Sequence, residues 1–127
     1  MDKVSMVSKY IIGLIYFIFG LSFFFITPPP PDATIAPFMT GLMSTGYFFP
    51  FLKVTETLCG ALVLSGFFAP LALIVLAPIT IQIFLFHAVM TPGITNLIMP
   101  IAMIVLHVLA ARNYKNIYQP LLKPKNK

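Results

Sequence analysis

Three side chains that can carry a charge lie within apolar stretches of this 127-residue chain. Lys53 and Glu56 stand at the head of an apolar segment that continues to about Phe68, and His87 lies near the end of the next one. A charged side chain in the middle of a bilayer costs roughly 2.5 to 3.5 kcal/mol, and less near the interface, so each group needs a partner or a function. An ammonium, a carboxylate and an imidazole together can exchange protons or bind a polar ligand head.

The composition indicates an integral membrane protein. Hydrophobic residues make up 59% of the chain and charged residues 9%, whereas soluble domains carry about 25% charged residues. The single cysteine, Cys59, lies inside an apolar segment, which excludes a disulfide framework or a Cys-x-x-Cys redox pair within the chain. The sequence contains no metal-ligand spacing, no Gly-rich phosphate loop and no nucleophile elbow.

Four apolar runs predict an all-α fold, an integral membrane four-helix bundle that forms a single domain over residues 1–127. The predicted spans are residues 9–26, 48–68, 71–90 and 95–111. The prolines at 28–31 should end the first helix. Residues 35–46 are too short to span a bilayer, so we expect a short interfacial helix in the first external loop, with a plain loop as the alternative.

The basic residues are concentrated at the two ends of the chain. Lys3 and Lys9 precede or begin the first run, and a basic tail, residues 112–127, follows the last one. Four spans place both termini on one side, and the positive-inside rule assigns that side to the cytoplasm. Contact with anionic lipid headgroups explains this charge better than nucleic-acid binding does.

This topology places Lys53, Glu56 and His87 in the same outer leaflet, and two interpretations are open. In the structural one, Lys53 reaches the headgroups and Glu56 pairs with Lys53 or His87, which fixes the register of the bundle. In the functional one, Glu56 and His87 face a water-accessible cavity beneath the interfacial helix. Thr55 and Gln82 are the candidates for supporting hydrogen bonds.

His107 is predicted to be a core or interface histidine with a backbone partner. It lies near the cytoplasmic end of the fourth span, some 15 Å or more in depth from His87, so the two imidazoles of one subunit cannot hold one haem between them. Of the seven methionines only Met99 and Met103 follow a helical spacing, which does not predict an ion path.

Several segments carry a resemblance to a known family. They are Gly13-Leu-Ile-Tyr-Phe17-Ile-Phe-Gly20, Phe38-Met-Thr-Gly41 to Thr45-Gly46-Tyr47-Phe-Phe-Pro50, Lys53-Val-Thr-Glu56-Thr-Leu-Cys-Gly60, and Ala77-Pro78 with Leu85-Phe86-His87. Together they resemble the DoxX-like family of small four-helix bacterial membrane proteins, over nearly the whole chain.

The resemblance implies a bacterial inner-membrane protein that serves as a membrane subunit or accessory of a redox system. We expect the chain to assemble with a redox partner protein or with copies of itself as a homo-oligomer. Relatives include a small subunit of a thiosulfate:quinone oxidoreductase, so quinone is the candidate cofactor. Lys53, Glu56 and His87 carry over as the site, and the isolated chain is not expected to be an enzyme. There are two alternatives. One is a non-enzymatic scaffold in which the three polar residues are structural, and the other is a small transporter or channel formed by an oligomer.

Overall fold

A computed structural model describes residues 3–26, 33–91 and 93–124, and the described chain is mostly helical. The main helices are α1 (Lys3–Ser22), α2 (Ala36–Met43), α3 (Phe48–Ser65), α4 (Ala69–Met90) and α5 (Ile94–Ala111). A short helix α6 (Lys115–Tyr118), flanked by 3-10 turns, follows α5. The predicted helix break at prolines 28–31 lies outside the described residues.

Four of these helices, α1, α3, α4 and α5, are long and apolar enough to cross a membrane. The protein is therefore a multi-pass helical membrane protein. The predicted all-α four-helix bundle, with a short helix in the first long connection, is confirmed.

The four spans pack as a ring. Helix α1 lies between α3 and α5, and α4 closes the ring by packing against α5 and α3. The end that holds Lys3 and Ala111 is called the terminal end below, and the opposite end, where α2 lies, is called the α2 end. The two ends of the chain meet at the terminal end, where Asn113 Nδ2 donates a hydrogen bond to the Ser5 carbonyl oxygen at 2.8 Å.

The first helix begins and ends earlier than its apolar run, at Lys3 and Ser22 rather than at residues 9 and 26. Polar residues belong to its buried face, since Ser5, Ser8 and Lys9 are all buried. The Lys9 ammonium lies 5.1 Å from the ring centroid of Tyr10 and 5.7 Å from that of Tyr114, and these cation–π contacts allow its burial. Hydropathy alone misses such a helical start because it counts these residues as solvent-facing.

Glycines bring α1 and α3 into backbone contact, as the spacing of Gly13 and Gly20 predicts. A Cβ on Gly60 would lie 2.6 Å from the Phe17 backbone nitrogen and 2.9 Å from the Gly13 carbonyl oxygen. A Cβ on Gly20 would meet the backbone nitrogen of Thr57 at 2.8 Å. Close approach of this kind is how membrane helices gain packing energy without a hydrophobic driving force. It fixes α1 against the segment that carries Glu56.

Candidate functional site

A cavity of about 130 Å³ lies among the four spans in the half of the bundle nearer the α2 end. Its polar lining consists of Tyr16 from α1, Lys53 and Glu56 from α3, and His87 from α4. The volume exceeds the roughly 10–15 Å³ that a single water molecule requires, so the cavity has room for water or for a small ligand group. The structure thus places the three predicted site residues around one space, together with a tyrosine that was not predicted.

The rest of the cavity wall is apolar. Phe19 of α1, Ile83 of α4 and Met103 of α5 face the same space, and Met99 lies one turn before Met103. A few polar groups in an otherwise apolar wall are typical of sites that orient a mainly apolar ligand.

Lys53 and Glu56 form an ion pair, with 3.2 Å between Lys53 Nζ and Glu56 Oε2. The Glu56 side chain is 5% exposed and the Lys53 side chain 23%, so the lysine covers a carboxylate that is otherwise buried. The other carboxylate oxygen of Glu56, Oε1, has no hydrogen-bond partner within the part of the chain that the structure describes. Glu56 therefore has a free acceptor in a group that lines the cavity.

His87 has a free acceptor as well. Its Nδ1 lies 2.8 Å from the carbonyl oxygen of Ile83, and since a carbonyl can only accept, Nδ1 carries the proton. The neutral ring then has an unprotonated Nε2, for which residues 3–26, 33–91 and 93–124 provide no partner. The imidazole contacts the Phe86 ring edge-on at 5.3 Å, and Phe86 contacts Phe38 of α2 at 5.5 Å. Helix α2 thus covers the neighbourhood of His87.

The two predicted supporting residues do not support these groups. Thr55 Oγ1 donates to the Phe51 carbonyl oxygen of its own helix at 2.9 Å, and Gln82 is exposed on the surface of α4. Both lie on the wrong helical face, since each residue rotates by about 100° around a helix axis with 3.6 residues per turn. Thr55 directly precedes Glu56, and Gln82 comes five positions before His87.

Tyr16 also belongs to a buried chain of three hydrogen-bonded side chains that leads away from the cavity. The Tyr16 hydroxyl bonds to Thr80 Oγ1, and Thr80 Oγ1 lies 2.9 Å from His107 Nδ1. His107 Nε2 lies 2.8 Å from the carbonyl oxygen of Leu73. The expected backbone partner of His107 is therefore confirmed. Tyr16 shares one helical stripe with Ser5, Ser8 and Lys9, which is a weak sequence signal for its burial, but nothing in the sequence indicates its pairing with Thr80.

Among the described residues, no three His, Cys, Asp or Glu side chains come together as metal ligands would. No family model matches the chain, and searches of curated proteins and of solved structures found no match either. The resemblance to the DoxX-like family stays a prediction that depends on the segments quoted above.

Proposed function

We propose that this protein is a DoxX-like protein of the bacterial inner membrane that binds the polar head of a quinone in its cavity and serves as a membrane subunit or accessory of a redox partner. One observation carries the proposal. Lys53, Glu56 and His87 line one cavity inside the bundle, and two of them have unused hydrogen-bonding atoms.

The unused atoms suit both redox states of a quinone ring. The Lys53 ammonium can donate a hydrogen bond to a quinone carbonyl oxygen. Glu56 Oε1 and His87 Nε2 can accept hydrogen bonds from the hydroxyl groups of the reduced ring. The same two acceptors are groups that can take up the protons released when the hydroquinone is oxidised.

The size of the cavity is in keeping with a headgroup site. Its volume of about 130 Å³ is below the roughly 300–1,000 Å³ of pockets that enclose a drug-sized molecule. A quinone would therefore place its ring in the cavity and its isoprenoid tail in the lipid. Phe19, Ile83 and Met103 supply the apolar contacts that the ring faces need.

The same proposal places the terminal end in the cytoplasm and the α2 end on the outside. Lys3, Lys9, Arg112, Lys115 and Lys123 lie in or beside the terminal end, and the positive-inside rule assigns such an end to the cytoplasm. The quinone site then belongs to the outer leaflet.

The test is binding of decylubiquinone to the purified full chain in lipid nanodiscs, measured by equilibrium dialysis. Glu56→Gln and His87→Gln should each weaken binding about tenfold, which corresponds to the loss of one hydrogen bond of about 1.4 kcal/mol. Thr55→Val is the matched control, because the Thr55 hydroxyl donates to a carbonyl oxygen within α3 and Thr55 does not line the cavity. Absence of binding to the unmodified chain, or equal binding by all variants, would refute the proposal.

A non-enzymatic scaffold is the second candidate, and the ion pair favours it. Lys53 and Glu56 already form an ion pair at 3.2 Å, which is what we expect if their role is only to fix the packing of the helices. The double variant Lys53→Met/Glu56→Leu separates the two functions. A scaffold should still capture its membrane partners with this variant, whereas a quinone site should lose its ligand.

A further inference from the structure

The buried chain of Tyr16, Thr80 and His107 crosses the bundle from α1 through α4 to α5. The three residues are 1%, 2% and 8% exposed, so the chain is shielded from the surroundings. Tyr16 lies six residues before the end of α1 at Ser22, which is about 9 Å from the α2 end of that helix. His107 lies four residues before the end of α5 at Ala111, about 6 Å from the terminal end. The chain therefore leads from the cavity half of the bundle into the opposite half.

The direction of every hydrogen bond in this chain follows from its last member. The Leu73 carbonyl can only accept, so His107 Nε2 carries a proton and donates it. In the neutral imidazole Nδ1 is then the acceptor, and the Thr80 hydroxyl donates to it. Thr80 Oγ1 is left to accept from the Tyr16 hydroxyl. All three donors point the same way, which is the arrangement in which hydrogen bonds reinforce one another.

Tyr16 belongs to both the chain and the cavity. It lines the same space as Glu56, and its oxygen keeps an acceptor lone pair after its proton is donated to Thr80. Since the cavity has room for water, a water molecule can join the carboxyl group of Glu56 to the Tyr16 oxygen.

We infer that Tyr16 and Thr80 form a proton relay between the cavity and His107, and that the His107 imidazole stores a proton for the cavity. The relay requires only water and a proton in the cavity, so it holds whether or not a quinone binds there.

The proton crosses the relay in three transfers, from Glu56 to Tyr16, from Tyr16 to Thr80 and from Thr80 to His107. Once the Glu56 carboxylate has taken up a proton from the cavity water, that proton can pass through water to the Tyr16 oxygen, as the Tyr16 proton passes to Thr80 Oγ1 and the Thr80 proton passes to His107 Nδ1. Glu56 ends as a carboxylate and His107 as an imidazolium with protons on both nitrogens. The reverse series returns the proton, and no electrons change place.

Few titratable groups lie around the relay. The buried or cavity-lining titratable groups of the packed spans are Lys9 and Tyr16 on α1, Lys53, Glu56 and Cys59 on α3, and His87 on α4. Tyr114, after α5, packs against the core and contacts Lys9. Glu56 is the one carboxylate among the described residues, so after the transfer its negative charge is shared between two cations, the Lys53 ammonium and the His107 imidazolium.

The relay can be tested by nitrogen NMR of the full chain in lipid nanodiscs with ring-¹⁵N-labelled histidine and no added ligand. The chain has two histidines, so His87→Gln assigns the remaining signals to His107. We expect the neutral His107 ring to carry its proton on Nε2. Tyr16→Phe or Thr80→Val should slow the exchange between the neutral and protonated forms of His107 about a hundredfold. This factor is in the lower part of the range by which a positioned proton-transfer group speeds a reaction.

Thr80→Ser keeps the hydroxyl, so its exchange rate should equal that of the unmodified chain. If Thr80→Val fails to fold, Tyr16→Phe and Thr80→Ser still test the relay. Tyr10→Phe is the control, because Tyr10 lies on the exposed side of the same helix. A ring proton on Nδ1, or exchange rates unchanged by Tyr16→Phe and Thr80→Val, would leave these residues a structural role only and overturn the relay. Quinone binding is measured separately, so failure of one proposal is distinguishable from failure of the other.

Discussion

Two groups of polar residues meet at Tyr16, a buried chain and the lining of the cavity, and they differ in how completely they are hydrogen-bonded. In the buried chain, the Thr80 hydroxyl and both ring nitrogens of His107 have partners. In the cavity, Glu56 Oε1 and His87 Nε2 have none among the residues that the structure describes. Glu56 and His87 line the cavity, so water or a ligand can reach their unused acceptors. The buried chain therefore needs no ligand to complete its hydrogen bonds, whereas the cavity has acceptors that water or a ligand can use.

The contact between α1 and α3 holds the two groups in place, and its loss should have the largest effect. Gly60→Ala puts a methyl group 2.6 Å from the Phe17 backbone nitrogen, where the backbone cannot yield easily. We expect a loss of about 3 kcal/mol in the free energy of unfolding, the upper part of the usual overpacking range. Thermal unfolding can be followed by labelling of Cys59, which is the single cysteine and is buried.

Gly41→Ala is the control for that measurement. A Cβ on Gly41, in the middle of α2, meets nothing within 4 Å, so alanine should be neutral or slightly stabilising. Equal unfolding temperatures for the Gly60 and Gly41 variants would mean that the close contact of α1 and α3 does not stabilise the bundle.

The second largest effect concerns the ion pair at the cavity. Lys53→Met leaves the Glu56 carboxylate buried without its cation, which should cost about 2 kcal/mol. The double variant Lys53→Met/Glu56→Leu removes both charges and should recover most of that loss, because apolar replacement of a buried pair is often neutral. Chemical unfolding in mixed micelles measures both values. If the double variant were no more stable than Lys53→Met, the unpaired Glu56 carboxylate would not be the cause of the loss, and this prediction would be wrong.

Charges could be located from the sequence because a charged residue inside an apolar run is conspicuous. Lys53, Glu56 and His87 were found in this way, and the four-helix bundle followed from the apolar runs. Tyr16 and Thr80 were missed, because a tyrosine or threonine in a membrane helix costs little and gives no sign of its partner. Their bond joins residues 64 positions apart and forms only because α1 and α4 both pack against α3 and α5, which brings the two helices to opposite sides of one core.

The failures at Thr55 and Gln82 have a different cause. Closeness in sequence suggested support for Glu56 and His87, but helical rotation directs each side chain to another face.

Within the buried chain, Thr80→Val should cost about 1.5 kcal/mol, because it leaves the Tyr16 hydroxyl and His107 Nδ1 without a partner. Thr80→Ser should lose less than Thr80→Val, since the hydroxyl remains. Thr55→Val serves as the control and should change the unfolding free energy by less than about 0.5 kcal/mol, because the Thr55 hydroxyl donates to a carbonyl oxygen of its own helix. The same Cys59 labelling assay compares the three. Equal losses at Thr80 and Thr55 would mean that the bonds between helices add nothing to stability.

His87→Gln should have the smallest effect on stability and a clear effect on binding. Within the described part of the chain the imidazole makes one hydrogen bond, to the carbonyl oxygen of Ile83 in its own helix, so its loss should change the unfolding free energy by about 0.5 kcal/mol or less. Binding of decylubiquinone should fall about tenfold, because Nε2 is the atom available to the ligand. Thr80→Val should behave in the opposite way, with lower stability and unchanged binding, since Thr80 does not line the cavity. If His87→Gln lowered stability as much as Thr80→Val and left binding unchanged, His87 would be a structural residue like His107.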